Sequence, residues 1–139
     1  MTYGPGTRKG DKRALNTFIE TALTSGKIEL MDEGKAIRTY CYASDAVELL
    51  WQALLHGTHP VYNIGGRSTV SIVGLAKLVG KATGVPVLFP VQSAEVAGAP
   101  EEVRLDLTRI ETEFKKTAYV SLQDGLFVTI PWQRQLYQS

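Results

Sequence analysis

The sequence predicts a mixed α/β fold, a small helix-rich domain with short strands. Apolar residues recur at helical spacing in several segments, and glycines or capping residues bound those segments. Between them lie short runs rich in β-branched and aromatic residues, which are typical of strands. About five helices and about four or five strands fit this pattern. The chain has 139 residues, and we find no repeat or low-complexity tract in it.

The predicted elements follow one another in a simple order. Residues 1–13 are rich in glycine, proline and charge and are expected to form a loop before a globular body over 14–139, together one domain over 1–139. Helices are predicted over Ala14–Ser25, from Ser44 or Asp45 to Leu54, and over Ile72–Thr83, Leu107–Lys116 and Leu122–Leu136, the last disturbed at Pro131. Strands are predicted over Ile28–Met31, Ala36–Ala43, Val61–Ile64 and Val85–Pro90, and a loop over 91–104.

Composition excludes several classes of protein. A hydrophobic content of 44% and a charged content of 21% are those of a globular protein. The net charge of +1 gives no electrostatic argument for nucleic acid or an anionic membrane. No apolar run approaches the roughly 20 residues that span a bilayer. The first residues show no signal-peptide pattern, so we expect a cytoplasmic location.

The stretch from Ile28 to Leu55 predicts a hairpin that leads into a helix. The turn falls at Asp32–Lys35, and Ala36–Ala43 forms the second strand. The following helix has apolar positions at helical spacing, namely Val47, Leu50, Trp51 and Leu54. Arg38 is the unusual residue in this segment. It either extends from the hairpin face into solvent or holds an anionic group.

No catalytic set is visible in the sequence. His56 and His59 lie in a loop without other metal ligands, so a solvated loop is the favoured interpretation. The single cysteine, Cys41, lies between two tyrosines in a predicted strand, which indicates a buried and inert thiol. Neither catalytic nor metal-binding residues are therefore predicted.

The remaining polar groups suit an anionic, planar ligand. Arg38 offers a fixed fork of donors for phosphate. Arg104 lies in a loop that could cover a ligand, although pairing with a surface carboxylate is the simpler alternative. Asn63 precedes Gly65 and Gly66, where the backbone can approach a ligand closely, and it is equally well explained as a turn residue.

Five motifs, in order along the chain, resemble the C-terminal portion of the extended short-chain dehydrogenases of the NAD-dependent epimerase/dehydratase family. Among its members, UDP-glucuronic acid decarboxylases and dTDP-glucose 4,6-dehydratases are the most similar. The motifs are Thr2–Gly6, the helix from Phe18 to Gly26, DEGKAIRTYCYASD at Asp32–Asp45, YNIGG at Tyr62–Gly66, and the spacing from Asp106 to Leu126. One departure is Phe114-Lys115-Lys116, which stands where the family has Leu-Gly-Trp.

The resemblance implies a nucleotide-sugar site. By this likeness Arg38 contacts the diphosphate, and Asn63 lies near the same group. The strand backbone ending at Leu30 meets the pyrimidine, and Arg104 lies near a second phosphate-binding arginine. The chain is then the UDP- or dTDP-sugar binding portion of an epimerase, dehydratase or decarboxylase.

The resemblance also identifies two features that the sequence lacks. The family binds NAD on an N-terminal half with a glycine motif and carries out its chemistry with a Tyr-x-x-x-Lys pair, and neither motif occurs here. We therefore expect no cofactor to be bound by this chain alone, and as its partner a separate NAD-binding half or further copies of the chain. The alternative is a free-standing oligomeric module, for binding or interaction, that has lost its ligand.

Overall fold

The computed structural model describes residues 1–91 and 102–138, and these form five helices and five strands. The helices are α1 (Ala14–Ser25), α2 (Ala43–His56), α3 (Ile72–Thr83), α4 (Thr108–Glu113) and α5 (Leu122–Gln138). The strands are β1 (Thr2–Tyr3), β2 (Ile28–Glu29), β3 (Ile37–Tyr42), β4 (Ser68–Ser71) and β5 (Val87–Leu88). The predicted mixed α/β fold is confirmed. Most of the loop expected over 91–104 lies outside the described residues.

Helices α1 and α3 have the bounds that the sequence predicts, because local signals define both of them. Each is followed by a glycine in the left-handed conformation, Gly26 and Gly84. At the start of α3, the Ser71 hydroxyl accepts a hydrogen bond of 3.1 Å from the amide of Gly74. Helix α5 continues through Pro131, contrary to the expected disturbance. Proline at this position removes the hydrogen bond to the carbonyl of Phe127, and its ring crowds that carbonyl.

The larger sheet has the order β1-β3-β4. Strand β1 is parallel to β3, with Thr2 opposite Cys41, and β4 is antiparallel to β3. The prediction that residues 1–13 are all loop is therefore wrong at its start. Tyr3 is 4% exposed and packs in the core, and this burial favours a strand in a segment rich in loop-forming residues.

The predicted hairpin between β2 and β3 does not form. Strand β2 instead pairs in parallel with β5, with Ile28 opposite Val87. Both edges of β3 are already occupied by β1 and β4. The turn after β2 is fixed to α3, because the amide of Val73 donates to the carbonyl of Gly34 over 3.0 Å. Alternation identifies a strand, but long-range burial selects its partner.

Two further strand assignments differ from the prediction. Val61–Ile64 is not a strand, and the Tyr62 hydroxyl instead donates to Glu113 over 2.8 Å. Strand β4 was not predicted, and its Ser-Thr-Val-Ser sequence is mostly polar. It forms because β3 offers it a full antiparallel ladder, in which the Thr39 and Thr69 hydroxyls lie 3.3 Å apart.

Two apolar clusters hold these elements together. The main core is built by α1, α3 and α5 on one face of β3, and its fully buried members include Ile19, Ile28, Tyr40, Leu75 and Val79. A smaller cluster joins α2 to α4 through Leu49, Leu107 and Ile110. No helix in the described residues is long and apolar enough to cross a membrane.

Helix α2 turns its expected core face outward. It begins at Ala43 without a side-chain cap, so the predicted capping by Ser44 or Asp45 is wrong. Leu49 lies in the smaller cluster and is fully buried, whereas the four apolar residues expected to pack are 51–74% exposed, namely Val47, Leu50, Trp51 and Leu54. The periodicity predicted the helix correctly but did not show which apolar face is covered.

Tyr40 provides a test of the core. Its hydroxyl is buried and has no hydrogen-bond partner among the described residues. Tyr40→Phe should therefore leave the free energy of unfolding unchanged or raise it by up to about 1 kcal/mol, because an unsatisfied buried group is removed.

Tyr3→Phe is the matched control for this test. The Tyr3 hydroxyl donates to the carbonyl of Ser121 over 3.3 Å, so its removal should cost roughly 0.5–1.5 kcal/mol. Urea denaturation of both variants measures the difference. A larger loss for Tyr40→Phe than for Tyr3→Phe would contradict the description of this core.

Candidate functional site

Strand β3 positions the first candidate residue, Arg38. Side chains alternate along a strand, so Arg38 lies on the same face as Tyr40, which packs in the main core. Arg38 is half-buried at the start of the strand, opposite Val70 of β4. Its Nη1 donates to the carbonyl of Ile37 over 2.7 Å. The guanidinium is thus held at the boundary between the core and the surface.

The other candidate on this side is Leu30, which directly follows β2. Its side chain is buried in the main core, together with Tyr40. Its amide donates to the carbonyl of Leu88 over 3.0 Å and so extends the β2–β5 ladder. The backbone amide at Leu30 is therefore already used within the protein.

Asn63 and Arg104 come from two separate segments of the chain, which meet at Asp106. The Asn63 side-chain amide donates to the carbonyl of Asp106 over 3.1 Å. Arg104 is two residues earlier in the same segment, and Glu102 forms a parallel bridge with Ile37. The structure therefore links Asn63 to the segment that carries Arg104, and the bridge at Glu102 brings that segment alongside Ile37, next to Arg38.

An open cleft of about 520 Å³ lies against Thr39, on the face of β3 opposite to that of Arg38. Thr39 and Thr69 form its floor, and Arg67, Arg104 and Glu111 lie around it. Arg67, Thr69 and Glu111 were not predicted as site residues; Arg67 directly precedes β4, Thr69 lies on β4, and Glu111 lies on α4. The basic residue directly after the Gly65-Gly66 pair was the only signal that could have identified one of them.

Carboxylates already pair both arginines of the cleft. Arg67 makes a bidentate contact with Glu111, with Nε–Oε1 at 2.7 Å and Nη2–Oε2 at 2.5 Å. Hydrogen bonds from Arg67 lower the pKa of Glu111. The Nε of Arg104 donates to Glu102 over 2.5 Å. An anion entering this cleft would have to compete with these carboxylates.

The close backbone approach expected at Gly65 and Gly66 occurs, but within the protein. A Cβ atom at Gly66 would lie 2.1 Å from the carbonyl oxygen of Tyr40, and one at Gly65 would lie 2.8 Å from Leu105. Backbone atoms block a Cβ atom at Gly66, so only glycine fits there, whereas at Gly65 the close atom is the end of the Leu105 side chain. Among the described residues, Gly65 and Gly66 therefore join β3 to the 102–106 segment.

The expected absence of chemistry at Cys41 agrees with its surroundings. The thiol is 3% exposed, and burial raises its pKa from 9.0 to about 11. Nearby Asp45 adds to the shift. Asp45 itself accepts the amide of Val120 and the ammonium of Lys116, both over 2.9 Å, so it acts as a structural link.

No group of three or more potential metal ligands exists in the described part of the chain. His59 lies 3.9 Å from Glu113, and that carboxylate also accepts hydrogen bonds from Thr58 and Tyr62. These contacts fix the loop after α2. They do not form a metal centre.

Comparison with known proteins agrees with the motifs. Residues 1–65 match the model of the NAD dependent epimerase/dehydratase family, and this range includes Leu30, Arg38 and Asn63. The dTDP-4-dehydro-6-deoxy-D-allose reductase of Streptomyces bikiniensis is 30% identical over 134 residues, 95% of this chain and 40% of that protein. The chain is related to this family.

Relatives and solved structures extend the likeness beyond the matched residues. UDP-glucuronic acid decarboxylase 5 of Arabidopsis thaliana is 29% identical over 90% of this chain and 36% of its own length. A UDP-glucose 4-epimerase of Thermotoga maritima, solved with UDP-glucose, has a TM-score of 0.82 at 26% identity, over 98% of this chain and 44% of its own. A UDP-glucuronic acid 4-epimerase of Bacillus cereus, solved with UDP-glucuronic acid and NAD, has a TM-score of 0.83 at 25% identity, over 99% and 44%.

The chain spans about 40% of the length of the curated family members that it matches. The family likeness therefore concerns one part of those proteins. Arg104 lies outside the range that the family model matches.

Cys41 gives a direct test of the environment of β3. In the folded chain, iodoacetamide should not label it at pH 8, because burial blocks access and keeps the thiol protonated. Mass spectrometry after quenching measures the labelling, and the chain in 6 M guanidinium is the control that should react fully.

The raised pKa of Cys41 also determines the direction in which pH changes the stability of the fold. The buried thiol contributes stability below its ordinary pKa of 9.0, and this contribution is lost as the pH rises towards about 11. Rapid labelling of the folded chain at pH 8 would contradict the buried position of Cys41.

Proposed function

We propose that this chain is the nucleotide-sugar binding portion of an NAD-dependent sugar epimerase, dehydratase or decarboxylase, and that it takes a UDP- or dTDP-sugar. Arg38 carries this proposal. It lies in the range matched by the family model, on the most specific of the sequence motifs. It also lies half-buried at an ordered strand start, where its guanidinium is oriented by a backbone carbonyl.

The physical reason for this role is the pairing of guanidinium and phosphate. A planar fork of N–H donors binds phosphate oxygens through charge-assisted hydrogen bonds. Partial burial strengthens the attraction, because the local dielectric constant is lower than that of water. The two arginines of the cleft are more exposed than Arg38, so water screens their attraction for an anion more strongly.

Solved relatives support the ligand class. The Thermotoga maritima enzyme was solved with UDP-glucose, and the Bacillus cereus enzyme was solved with UDP-glucuronic acid and NAD. In both cases the resemblance covers nearly the whole of this chain and 44% of the solved enzyme. For this chain, the diphosphate at Arg38 is the proposed common element.

We propose that this portion binds substrate but does not turn it over by itself. The sequence has no Tyr-x-x-x-Lys pair, the pair that the resemblance associates with the family's chemistry. Hydride chemistry on the sugar would then be supplied with NAD by another part of the assembly.

A second candidate function is an oligomeric interaction module that has lost its ligand. The exposed apolar residues of α2 favour it, because patches of this kind mark interaction surfaces. Nucleotide binding separates the two candidates, since only the first requires Arg38 to hold a diphosphate.

The test is calorimetric titration of the full chain with UDP, UDP-glucose, dTDP and uridine. Arg38→Ala should weaken binding of UDP and UDP-glucose by roughly 10- to 100-fold, because a charge-assisted contact is lost. It should leave any binding of uridine unchanged, because uridine has no phosphate.

Arg67→Ala is the matched control, since it removes the same charge from the other side of β3. It should change UDP affinity less than about 3-fold. Equal effects of the two substitutions would show non-specific attraction and sink the assignment of Arg38. A folded chain that binds none of the nucleotides would favour the interaction module.

A further inference from the structure

Strand β4 lies at the end of the sheet order β1-β3-β4, so within the described residues only one of its two edges is paired. The paired edge forms an antiparallel ladder with β3, in which Thr69 lies opposite Thr39. The ladder continues into the start of α3, where the amide of Ile72 donates to the carbonyl of Ala36 over 2.9 Å. We name the other side of Ser68–Ser71 the β4 edge.

The register of this ladder shows which backbone groups β4 directs to its edge. In an antiparallel pair, opposed residues that exchange hydrogen bonds alternate with opposed residues that do not. Because Ile72 bonds to its opposite residue, Val70 and Ser68 also bond to β3. The amide and carbonyl of Thr69 and the amide of Ser71 therefore point away from β3.

Two contacts agree with this register. The hydroxyls of Thr39 and Thr69 lie 3.3 Å apart, as expected for a pair without mutual backbone bonds, whose side chains are closer. The carbonyl of Thr39 points to the opposite edge of β3, where it accepts a hydrogen bond of 2.7 Å from the amine of Met1. Thr69 must then present its own backbone groups on the opposite side, at the β4 edge.

The outward backbone groups of β4 are available to a further strand. Among the described residues, the hydrogen bonds outside the β3 ladder and α3 do not involve the backbone of Thr69 or the amide of Ser71. Thr69 is also exposed. An edge strand with unpaired N–H and C=O groups is a template for pairing with an extended segment of another chain.

Side chains beside the β4 edge define what such a segment should carry. Thr69 lines the open cleft together with Arg67. Arg67 contacts Glu111 through Nε and Nη2, and its Nη1 is unbonded within the part of the chain that the structure describes. A carboxylate is the strongest acceptor for the remaining N–H groups. On the other face of β4, Val70 packs against the main core and favours an apolar neighbour.

We propose that the β4 edge binds an extended segment of a partner protein, in which a threonine or β-branched residue, an apolar residue and an acidic residue follow one another. The first pairs with Thr69 and the third with Arg67, because hydroxyl pairs and opposite charges are favourable neighbours across strands. The apolar residue between them lies on the face of Val70. This surface is separate from the proposed nucleotide site, and its test uses no nucleotide.

The test uses a synthetic peptide, acetyl-Lys-Val-Thr-Val-Glu-Val-Lys-amide, titrated into the full chain by NMR. Binding should perturb the amide signals of Thr69 and Ser71. A second peptide with lysine in place of the glutamate should bind roughly 5-fold more weakly, because it places a like charge beside Arg67.

Thr69→Pro should weaken binding of the first peptide by more than about 10-fold, because proline has no N–H to donate and is tolerated where that group faces outward. Thr69→Val is the matched control. It keeps the amide and the shape of the side chain, so the affinity should change by less than about 3-fold. Circular dichroism checks that both variants are folded.

Hydrogen exchange gives a readout that needs no variant. In the free chain the amide of Thr69 should exchange faster than that of Val70, which the ladder directs to β3. Saturating peptide should slow exchange at Thr69 by at least about 10-fold and leave Val70 nearly unchanged.

Three results would overturn the proposal. One is a peptide that leaves exchange at Thr69 unchanged. Another is an equal loss of affinity for Thr69→Pro and Thr69→Val. The third is sedimentation showing a dimer of the chain that Thr69→Pro dissociates, because the β4 edge would then pair with a second copy.

Discussion

The placement of β3 is the constraint on which the rest of the structure depends. Both of its edges are paired, with β1 and β4, and Tyr40 fixes one of its faces in the main core. On the other side, Gly66 lies so close to the Tyr40 carbonyl that no side chain fits there. A strand confined in this way has little freedom to shift register. Arg38 and the threonines of the cleft are therefore fixed relative to each other.

Sequence reasoning succeeded where local signals decide the structure. Helices α1 and α3 have their predicted bounds, because apolar periodicity and terminal glycines act within one segment. It failed where distant segments compete. The pattern at Ile28 showed a strand but not that β5 is its partner, and the periodicity of α2 could not show which of two apolar faces is covered. Pairing and burial depend on the whole chain.

For the candidate site, too, the sequence predicted what local motifs decide and missed what depends on contacts between distant segments. The motif around Arg38 could be recognised from sequence, and the structure places that residue on a paired, half-buried strand position. The position of the segments that carry Asn63 and Arg104 beside β3 could not, because it depends on contacts between distant parts of the chain. The cleft with Arg67 and Glu111 was also missed, since its residues are adjacent only after folding. Family likeness thus identified residue types, and the fold determined which of them are neighbours.

The parallel pairing of β2 with β5 has a consequence for how the chain reaches this state. Ile28 must find Val87 with α2 and α3 lying between them in the chain, and the Tyr3 hydroxyl must find a carbonyl 118 residues away. Such high contact order slows folding, because loop-closure entropy is lost before the contacts form. During that delay the apolar surface of α2 is available to other chains. Slow refolding and transient aggregation at high protein concentration are therefore inherent in this topology.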